Sequence, residues 1–305
     1  VLFVNHEYND KLRFVSELEL EHSIAGEGKA GEIELEQAYI QYDVTDSTSV
    51  SAGLFIIPVG IMNETHEPPT FYGVERNPVE KNIVPATWWE GGAMITTEIT
   101  DGLTLDLAGH SGLKATTGKF KPRDGRQKVG SAKAKTGALT TRLKYTAIPG
   151  LELAGTINYQ EDYGQELLDN VGSATLYEAH AVYNYDQFSL RALGAWWDID
   201  GSAVENVQND LQYGFYIEPS FRFNMAGEDI GIFARYNQWD NAAGDDRSSI
   251  TGVLAKDTEI EQIDIGVNWW IDKDVVVKVD YQDQSVGNGT SAELDGINVG
   301  VGYQF

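Results

Sequence analysis

The stretch Gly-Ile-Asn-Val-Gly-Val-Gly-Tyr-Gln-Phe, residues 296–305, alternates apolar residues with polar or small ones at every position. Alternation with period two is typical of a β-strand that has one apolar face and one wet face. The preceding segment repeats the pattern, with Val275, Val277 and Val279 on one face and Lys278 on the other. Similar segments of about 10 to 12 residues recur along the chain. The sequence therefore predicts an all-β protein.

The composition excludes several classes of protein. The chain has 305 residues and no cysteine, which rules out disulfides, thiolate zinc sites and redox dithiols. No segment approaches the roughly 18 consecutive apolar residues that a membrane-spanning helix needs. A net charge of -25 argues against a nucleic-acid partner, and 42% hydrophobic residues are too many for a disordered acidic chain. We treat residues 1–305 as a single domain.

The connections between the predicted strands alternate in length. Short turns such as 44–47 and 271–274 alternate with long polar loops such as 58–89 and 111–136. A water-soluble sandwich has no reason to keep its short turns at one end, whereas an outer-membrane barrel has short periplasmic turns and long external loops. We therefore predict an antiparallel transmembrane β-barrel in the outer membrane of a Gram-negative bacterium.

The number of strands follows from the same pattern. From about residue 11 to Phe305 there are 14 predicted strands, and residues 1–8 look like the end of one more. Bacterial single-chain barrels have even strand numbers because both termini lie on the periplasmic side. We therefore expect 16 strands, with the first strand preceding Val1. The alternative is 14 strands with an N-terminal extension.

Tryptophan residues collect at the ends of the predicted strands, where amphipathic rings prefer the two membrane interfaces. The sequence thus predicts two aromatic belts. The expected external belt contains Trp88, Trp89, Trp196, Trp197 and Trp239, and the expected periplasmic belt contains Trp269 and Trp270.

The polar face of each strand lines the lumen of such a barrel, where charged side chains contact water. About 14 to 16 strands enclose an aqueous channel. We therefore predict a porin through which small solutes diffuse passively, without a cofactor, a metal site or catalytic residues. The predicted pore-lining and selectivity residues are Arg13, Arg76, Arg142, Lys144, Arg191, Arg222, Arg235 and Lys278.

Basic residues are concentrated in one long loop. Of the 22 Lys and Arg residues, 10 lie between Ser111 and Lys144, against a single acidic residue, Asp124. Clustered charge at a low-dielectric wall concentrates anions, so the loop is expected either to fold over the pore or to bind lipopolysaccharide phosphates outside it. The basic loop residues are Lys114, Lys119, Lys121, Arg123, Arg126, Lys128, Lys133 and Lys135.

An enzyme is not expected. Successive strand residues point to opposite faces, so His110 and Ser111 cannot form a nucleophile and base pair. The remaining alternative is a receptor, adhesin or scaffold barrel within a larger outer-membrane complex. An open, stable pore distinguishes the porin from a closed scaffold barrel.

Two stretches resemble a known family. The first is Gly-Leu-Phe-Ile-Ile-Pro-Val-Gly at residues 53–60, followed by Phe-Tyr-Gly-Val-Glu-Arg-Asn at 71–77. The second is the closing hairpin, from Ile265 to Phe305. Both resemble the phosphate-selective porin O and P family. The resemblance implies a homotrimer of 16-stranded barrels, embedded in outer-membrane lipid and lipopolysaccharide, whose inward-folded loops and lumen Arg and Lys residues conduct anions such as phosphate or small organic acids.

The loop 58–89 departs from one feature that the resemblance implies, a ladder of arginines at the constriction. Its only basic residues are Arg76 and Lys81. The segment 63–69 contains a proline pair and is expected to form either an inward-folded eyelet or a latch onto a neighbouring subunit. Four acidic residues accompany the two basic ones, namely Glu64, Glu67, Glu75 and Glu80.

Overall fold

Fifteen β-strands form one antiparallel sheet in which each strand pairs with its neighbours in the chain. The computed structural model describes residues 1–21, 32–116, 118, 120–244, 258–287 and 294–304. The strands are β1 (Leu2–Asn9), β2 (Leu12–Glu21), β3 (Glu32–Thr45), β4 (Thr48–Ile56), β5 (Trp89–Thr100), β6 (Leu103–His110), β7 (Ala138–Tyr145), β8 (Leu151–Gln160), β9 (Ala174–Tyr185), β10 (Phe188–Ile199), β11 (Leu211–Met225), β12 (Glu228–Asp240), β13 (Ile260–Asp272), β14 (Val275–Val286) and β15 (Gly296–Tyr303).

The short turns all lie at one end of the sheet, as predicted. Consecutive strands are antiparallel, so every connection that follows an odd-numbered strand returns at the same end. These connections are tight; β5 ends at Thr100 and β6 begins at Leu103, for example. The opposite end carries the long loops, including residues 57–88 between β4 and β5 and residues 111–137 between β6 and β7.

The two faces of the strands differ as the alternation predicts. In β8, the side chains of Leu153, Ile157 and Tyr159 are 43–50% exposed, whereas Thr156 and Asn158 are at most 2% exposed. A protein in water buries its apolar face, so this reversed arrangement is typical of a barrel whose outer surface contacts lipid. The exposed apolar residues therefore form the outer face, and the polar residues face inward.

The strand count is 15, so neither 16 nor 14 is confirmed. Among the described residues, β1 and β15 pair with only one neighbour each and leave the sheet with two edges. Both are odd-numbered members of an antiparallel series and therefore run in the same direction.

The largest apolar cluster lies inside the barrel. Phe55, Val79 and Ile83 are at most 1% exposed and pack with Trp88 and Trp197. Residues 57–88 supply part of this cluster, and inward-facing strand residues such as Leu176, Leu193 and Tyr216 supply another part.

Helical structure is minor, as predicted. The two α-helices in the described residues are α1 (Pro78–Asn82) and α2 (Ser202–Glu205), and Pro68–Thr70 and Pro122–Gly125 each form a short 3-10 helix. Asn77 caps α1, because its side-chain oxygen accepts the N–H groups of Val79 at 2.9 Å and Glu80 at 3.2 Å. No helix among the described residues has the length and apolarity needed to cross a membrane.

The predicted aromatic belts are wrong for most of the tryptophans. Trp196 and Trp269 are exposed on the outer face, but Trp88, Trp197 and Trp270 are at most 6% exposed. The indole N–H of Trp197 donates to Ile83 O at 2.8 Å inside the barrel. Successive strand residues point to opposite faces, so a Trp-Trp pair can present only one ring to lipid. Trp89 and Trp239 are buried as well, and the indole N–H of Trp270 donates to Pro69 O at 3.0 Å.

Candidate pore constriction

Residues 57–88, here called the inner loop, fold into the barrel and contact its inner face on many sides. Val74 N–H donates to Asp280 on β14 at 2.6 Å, and the side chain of Thr156 on β8 donates to Pro58 O at 3.4 Å. Arg191 on β10 donates to Thr70 O at 3.0 Å. Because strands so far apart in the sheet reach the same loop, the sheet curves around it.

Asn63 closes the base of the inner loop. Its side-chain amide donates to Ile57 O at 2.7 Å and Trp88 O at 3.0 Å, and its side-chain oxygen accepts the N–H of Trp88 at 2.6 Å. Asn63 is fully buried. These bonds satisfy backbone groups at both ends of the loop and keep the two ends together.

Glu80 fixes the middle of the inner loop. Its carboxylate accepts the N–H groups of Ile61 at 2.9 Å and Met62 at 2.6 Å and the hydroxyl of Tyr216 on β11 at 2.7 Å. Burial raises the pKa of Glu80 above its ordinary value, although these donors act in the opposite direction. Gly60 has a φ of 69°, and a Cβ there would lie 2.7 Å from the Glu80 carboxylate.

Arg142, a predicted selectivity residue, anchors the inner loop to β7. Its guanidinium is 2.5 Å from a carboxylate oxygen of Glu64 and 2.8 Å from one of Asp106. Arg142 and Asp106 are both at most 4% exposed. The charge of Arg142 is therefore balanced by two carboxylates.

Arg235 and Lys278 also hold the inner loop. Arg235 is buried, contacts Asp264 at 3.0 Å and Glu218 at 3.1 Å, and donates to Tyr72 O at 3.3 Å. The ammonium of Lys278 donates to Phe71 O at 2.9 Å and to Gly73 O at 2.8 Å. Both charged groups are therefore buried against the inner loop and do not face open water.

The other predicted basic lumen residues are more accessible. Arg222 pairs with Asp229 at 2.7 Å near the short-turn end, and Arg13 pairs with Asp43. Lys144 is partly exposed and has no ion pair within 4.0 Å in the part of the chain that the structure describes.

The basic loop folds onto the inner loop. Arg123 donates to Lys81 O at 3.1 Å and to Ala86 O at 2.7 Å, and Arg126 donates to Thr87 O at 2.5 Å. Lys128 pairs with Glu34 on β3, and Lys135 is 3.4 Å from Glu166. Lys121 and Lys133 are exposed, Lys114 is half-buried, and Lys119 lies outside the described residues, as does Phe305.

A cavity of about 490 Å³ lies beside the inner loop. Three basic residues, Arg76, Lys81 and Arg123, line it. Three acidic residues, Glu19, Glu67 and Glu75, line it as well, together with His66. A second polar cavity of about 690 Å³, lined by Arg13, Asp43 and Glu98 among others, lies at the short-turn end. The first cavity also contacts Val1 and Tyr303 at the two edges of the sheet, and the second is lined by residues from 10 to 104.

An acidic cluster around His66 was missed by the sequence analysis. Nε2 of His66 is 3.0 Å from Glu36 on β3, and 4.0 Å from both Glu17 on β2 and Glu67. Burial lowers the pKa of His66, but the adjacent Glu36 carboxylate outweighs it and raises the pKa above its ordinary value. The motifs Glu-Leu-Glu at 17–19 and 34–36 were the available signal.

Similar proteins of known structure share this architecture. The chain matches OmpF of Salmonella typhi in complex with daunomycin at a TM-score of 0.67 and 15% identity, covering 99% of this chain and 88% of that one. It matches the outer membrane channel DcaP of Acinetobacter baumannii at a TM-score of 0.65 and 13% identity, covering 99% and 83%. For an anion-selective porin from Comamonas acidovorans the TM-score is 0.62, with 10% identity and coverage of 97% and 82%.

The sequence comparisons identify the family. An uncharacterized protein of Aquifex aeolicus (strain VF5) is 28% identical over 304 residues, covering 92% of this chain and 68% of that protein. The sequence model of the phosphate-selective porin O and P family matches residues 1–305, which confirms the predicted family and the predicted location in the outer membrane of a Gram-negative bacterium. The β-barrel has the apolar outer face, the polar lumen and the inward-folded loop that such a family requires. The chain belongs to the phosphate-selective porin O and P family of outer-membrane porins.

Proposed function

We propose that this porin lets small solutes diffuse passively through its lumen and prefers anions, such as phosphate or small organic acids. The observation that carries the proposal is the convergence of Arg76, Lys81 and Arg123 on the 490 Å³ cavity beside the inner loop. Cationic side chains at a narrow, low-dielectric passage concentrate anions.

The distribution of ion pairs supports this choice of residues. Arg142 and Arg235 are buried and each contacts two carboxylates, so their fields are largely compensated within the wall. The whole chain has a net charge of -25, part of which lies on surfaces bathed in electrolyte. Salt screens such charges over about 8 Å at physiological ionic strength, so the groups that line the passage have the larger effect on a passing ion.

We also propose that the complete barrel has 16 strands. One additional strand, antiparallel to both β1 and β15, would pair with the two edges of the sheet. The outer side chains of β15 support this arrangement. Ile297, Val299, Val301 and Tyr303 are 62–74% exposed, more than the outer residues of β8, as expected for a strand that lacks a neighbour.

A homotrimer is the expected assembly, as in the family that the chain belongs to. Native gel electrophoresis of the detergent-extracted protein tests the trimer.

Lys121, Lys133 and Lys135 are exposed on the side of the long loops, where lipopolysaccharide phosphates are the expected partners.

The reversal potential in a KCl gradient across a planar bilayer tests the proposed selectivity. We expect anion preference in the unmodified protein and a clear decrease in the double variant Arg76→Gln, Lys81→Gln. The matched control is Lys273→Gln, because Lys273 is 84% exposed at a short turn and pairs with Asp274. Cation preference in the unmodified protein contradicts the proposal, and the absence of any conductance favours the scaffold barrel.

A further inference from the structure

We propose that Glu17, Glu36 and His66, assisted by Glu67, bind one first-row divalent metal ion such as Zn²⁺ and thereby link the inner loop to β2 and β3. One ligand atom from each of Glu17, Glu36 and His66 lies within 4.8 Å of the other two. Ligands bonded at about 2.1 Å around a tetrahedral ion are about 3.4 Å apart. Small side-chain adjustments therefore suffice to surround an ion.

The orientation of the His66 ring presents a lone pair to the carboxylates. Nδ1 lies 3.1 Å from the carbonyl oxygen of Asn63. A carbonyl oxygen only accepts hydrogen bonds, so Nδ1 carries the proton and Nε2 of the neutral ring is free to bind a metal. Asn63 is itself held by three hydrogen bonds, which gives His66 the kind of outer support that metal-binding histidines have.

The polar atoms that face one another are buried. Nε2 of His66, Oε2 of Glu36 and Oε1 of Glu67 are inaccessible to solvent, and Nε2 of His66 lies 3.0 Å from Oε2 of Glu36. The side chains of His66 and Glu36 are at most 5% exposed. Two lone pairs at 3.0 Å repel each other unless a proton or a cation lies between them.

The charges around the cluster favour a dication over a proton. Three carboxylates lie within 4.0 Å of Nε2, and Arg76 lines the same cavity as His66. An imidazolium together with Arg76 leaves the three carboxylates with a net negative charge. A divalent ion with a neutral imidazole balances the three carboxylates and Arg76.

The arrangement of the carboxylates also fits a metal site. Oε2 of Glu17 accepts a hydrogen bond from Gln37 at 2.6 Å, which leaves Oε1 directed at His66. One imidazole with two or three carboxylates is a donor set that suits Zn²⁺ and similar ions better than Mg²⁺ or Ca²⁺, which prefer oxygen ligands alone.

Binding is tested by isothermal titration of the purified, detergent-solubilised protein with ZnCl₂ in the presence of excess Mg²⁺, which occupies weak surface carboxylates. We expect one Zn²⁺ per chain, and an affinity at least about tenfold lower in His66→Ala and in Glu36→Gln. The matched controls are His6→Ala and Glu166→Gln, at exposed positions outside the cluster. Circular dichroism verifies that each variant retains its β-structure.

Two results overturn the site: no stoichiometric Zn²⁺ binding by the unmodified protein, or binding that His66→Ala and Glu36→Gln leave unchanged. The absorption spectrum of bound Co²⁺ gives a second readout, because loss of the imidazole ligand in His66→Ala shifts its visible bands. Should His66→Ala fail to fold, Glu36→Gln and Glu17→Gln test the same ligand set.

The consequence for the channel rests on the proposed anion preference. Zn²⁺ would neutralise carboxylates beside the cavity that Arg76 and Lys81 line, so saturating Zn²⁺ is expected to increase anion preference in the unmodified protein but not in Glu36→Gln. Unchanged selectivity overturns the placement of the ion in the passage. Titration requires no channel recording, so failure of the metal site and failure of the proposed selectivity are distinguishable.

Discussion

Glu64 and Arg142 join the inner loop to the barrel wall, with Oε2 of Glu64 lying 2.5 Å from Nη1 of Arg142. The two partners differ in environment, because the side chain of Glu64 is 41% exposed while that of Arg142 is 5% exposed. Arg142 also contacts buried Asp106 at 2.8 Å. Loss of one partner or the other should therefore have unequal effects.

Arg142→Gln is expected to destabilise the barrel by about 3 to 5 kcal/mol, because it leaves the Asp106 carboxylate buried without its partner. Glu64→Gln retains the pair of Arg142 with Asp106 and should cost about 1 kcal/mol or less. Urea unfolding of the barrel in detergent or lipid, followed by tryptophan fluorescence, measures both. Equal losses in the two variants would contradict this account.

Gly53→Ala is expected to destabilise the protein by about 1 to 3 kcal/mol. Gly53 has a φ of 138°, and a Cβ there would lie 2.4 Å from the carbonyl oxygen of Ala38 on the paired strand. Gly109 provides the matched control, since a Cβ on it meets no atom within 4 Å. Gly109→Ala should leave the unfolding midpoint unchanged, and a similar loss in both variants would count against the argument.

The contribution of Glu80 to stability should depend on pH. Because its pKa is higher in the folded protein than in the unfolded chain, this contribution is fully present below the ordinary pKa of Glu and is lost as pH rises through the folded pKa. Compared with Glu80→Gln, the unmodified protein should thus lose stability as pH increases over this range. Unfolding curves of both proteins at several pH values provide the measurement, and parallel pH profiles would exclude the effect.

Anion preference should weaken as ionic strength rises. The screening length decreases from about 10 Å at 0.1 M to about 3 Å at 1 M salt, so the fields of Arg76 and Lys81 reach a smaller part of the passage. Reversal potentials measured at a constant KCl ratio but increasing mean concentration should approach zero. A preference that is independent of salt would instead indicate a dehydrated binding site.

The β-barrel itself was predictable because its pattern is local. Residues such as those in 296–305 alternate with period two, and the alternation of tight turns with long loops repeats along the chain. The same alternation placed Arg142, Arg235 and Lys278 on the inner face, where the structure has them. Each of these properties depends on neighbours in sequence, so no long-range contact had to be known.

The alternation of residues along a strand shows which charged side chains face inward, but not which groups surround them. Asp106 lies opposite Arg142, and Arg235 lies opposite Asp264, because of the strand register. The same residues are buried because the inner loop covers them. Sequence analysis therefore identified Arg142 and Arg235 as lumen residues but had no means of distinguishing such paired anchors from more accessible cations such as Lys144.

The sequence by itself thus determined the strand pattern, the orientation of the faces and the family, since all three depend on short stretches of residues. Only the tertiary structure decided that Trp88 and Trp197 pack inside the barrel and that His66 meets Glu17 and Glu36. The physical reason is distance along the chain: these contacts require the sheet to curve and a loop to cross its lumen, and alternation within a strand contains no information about which distant residues then meet.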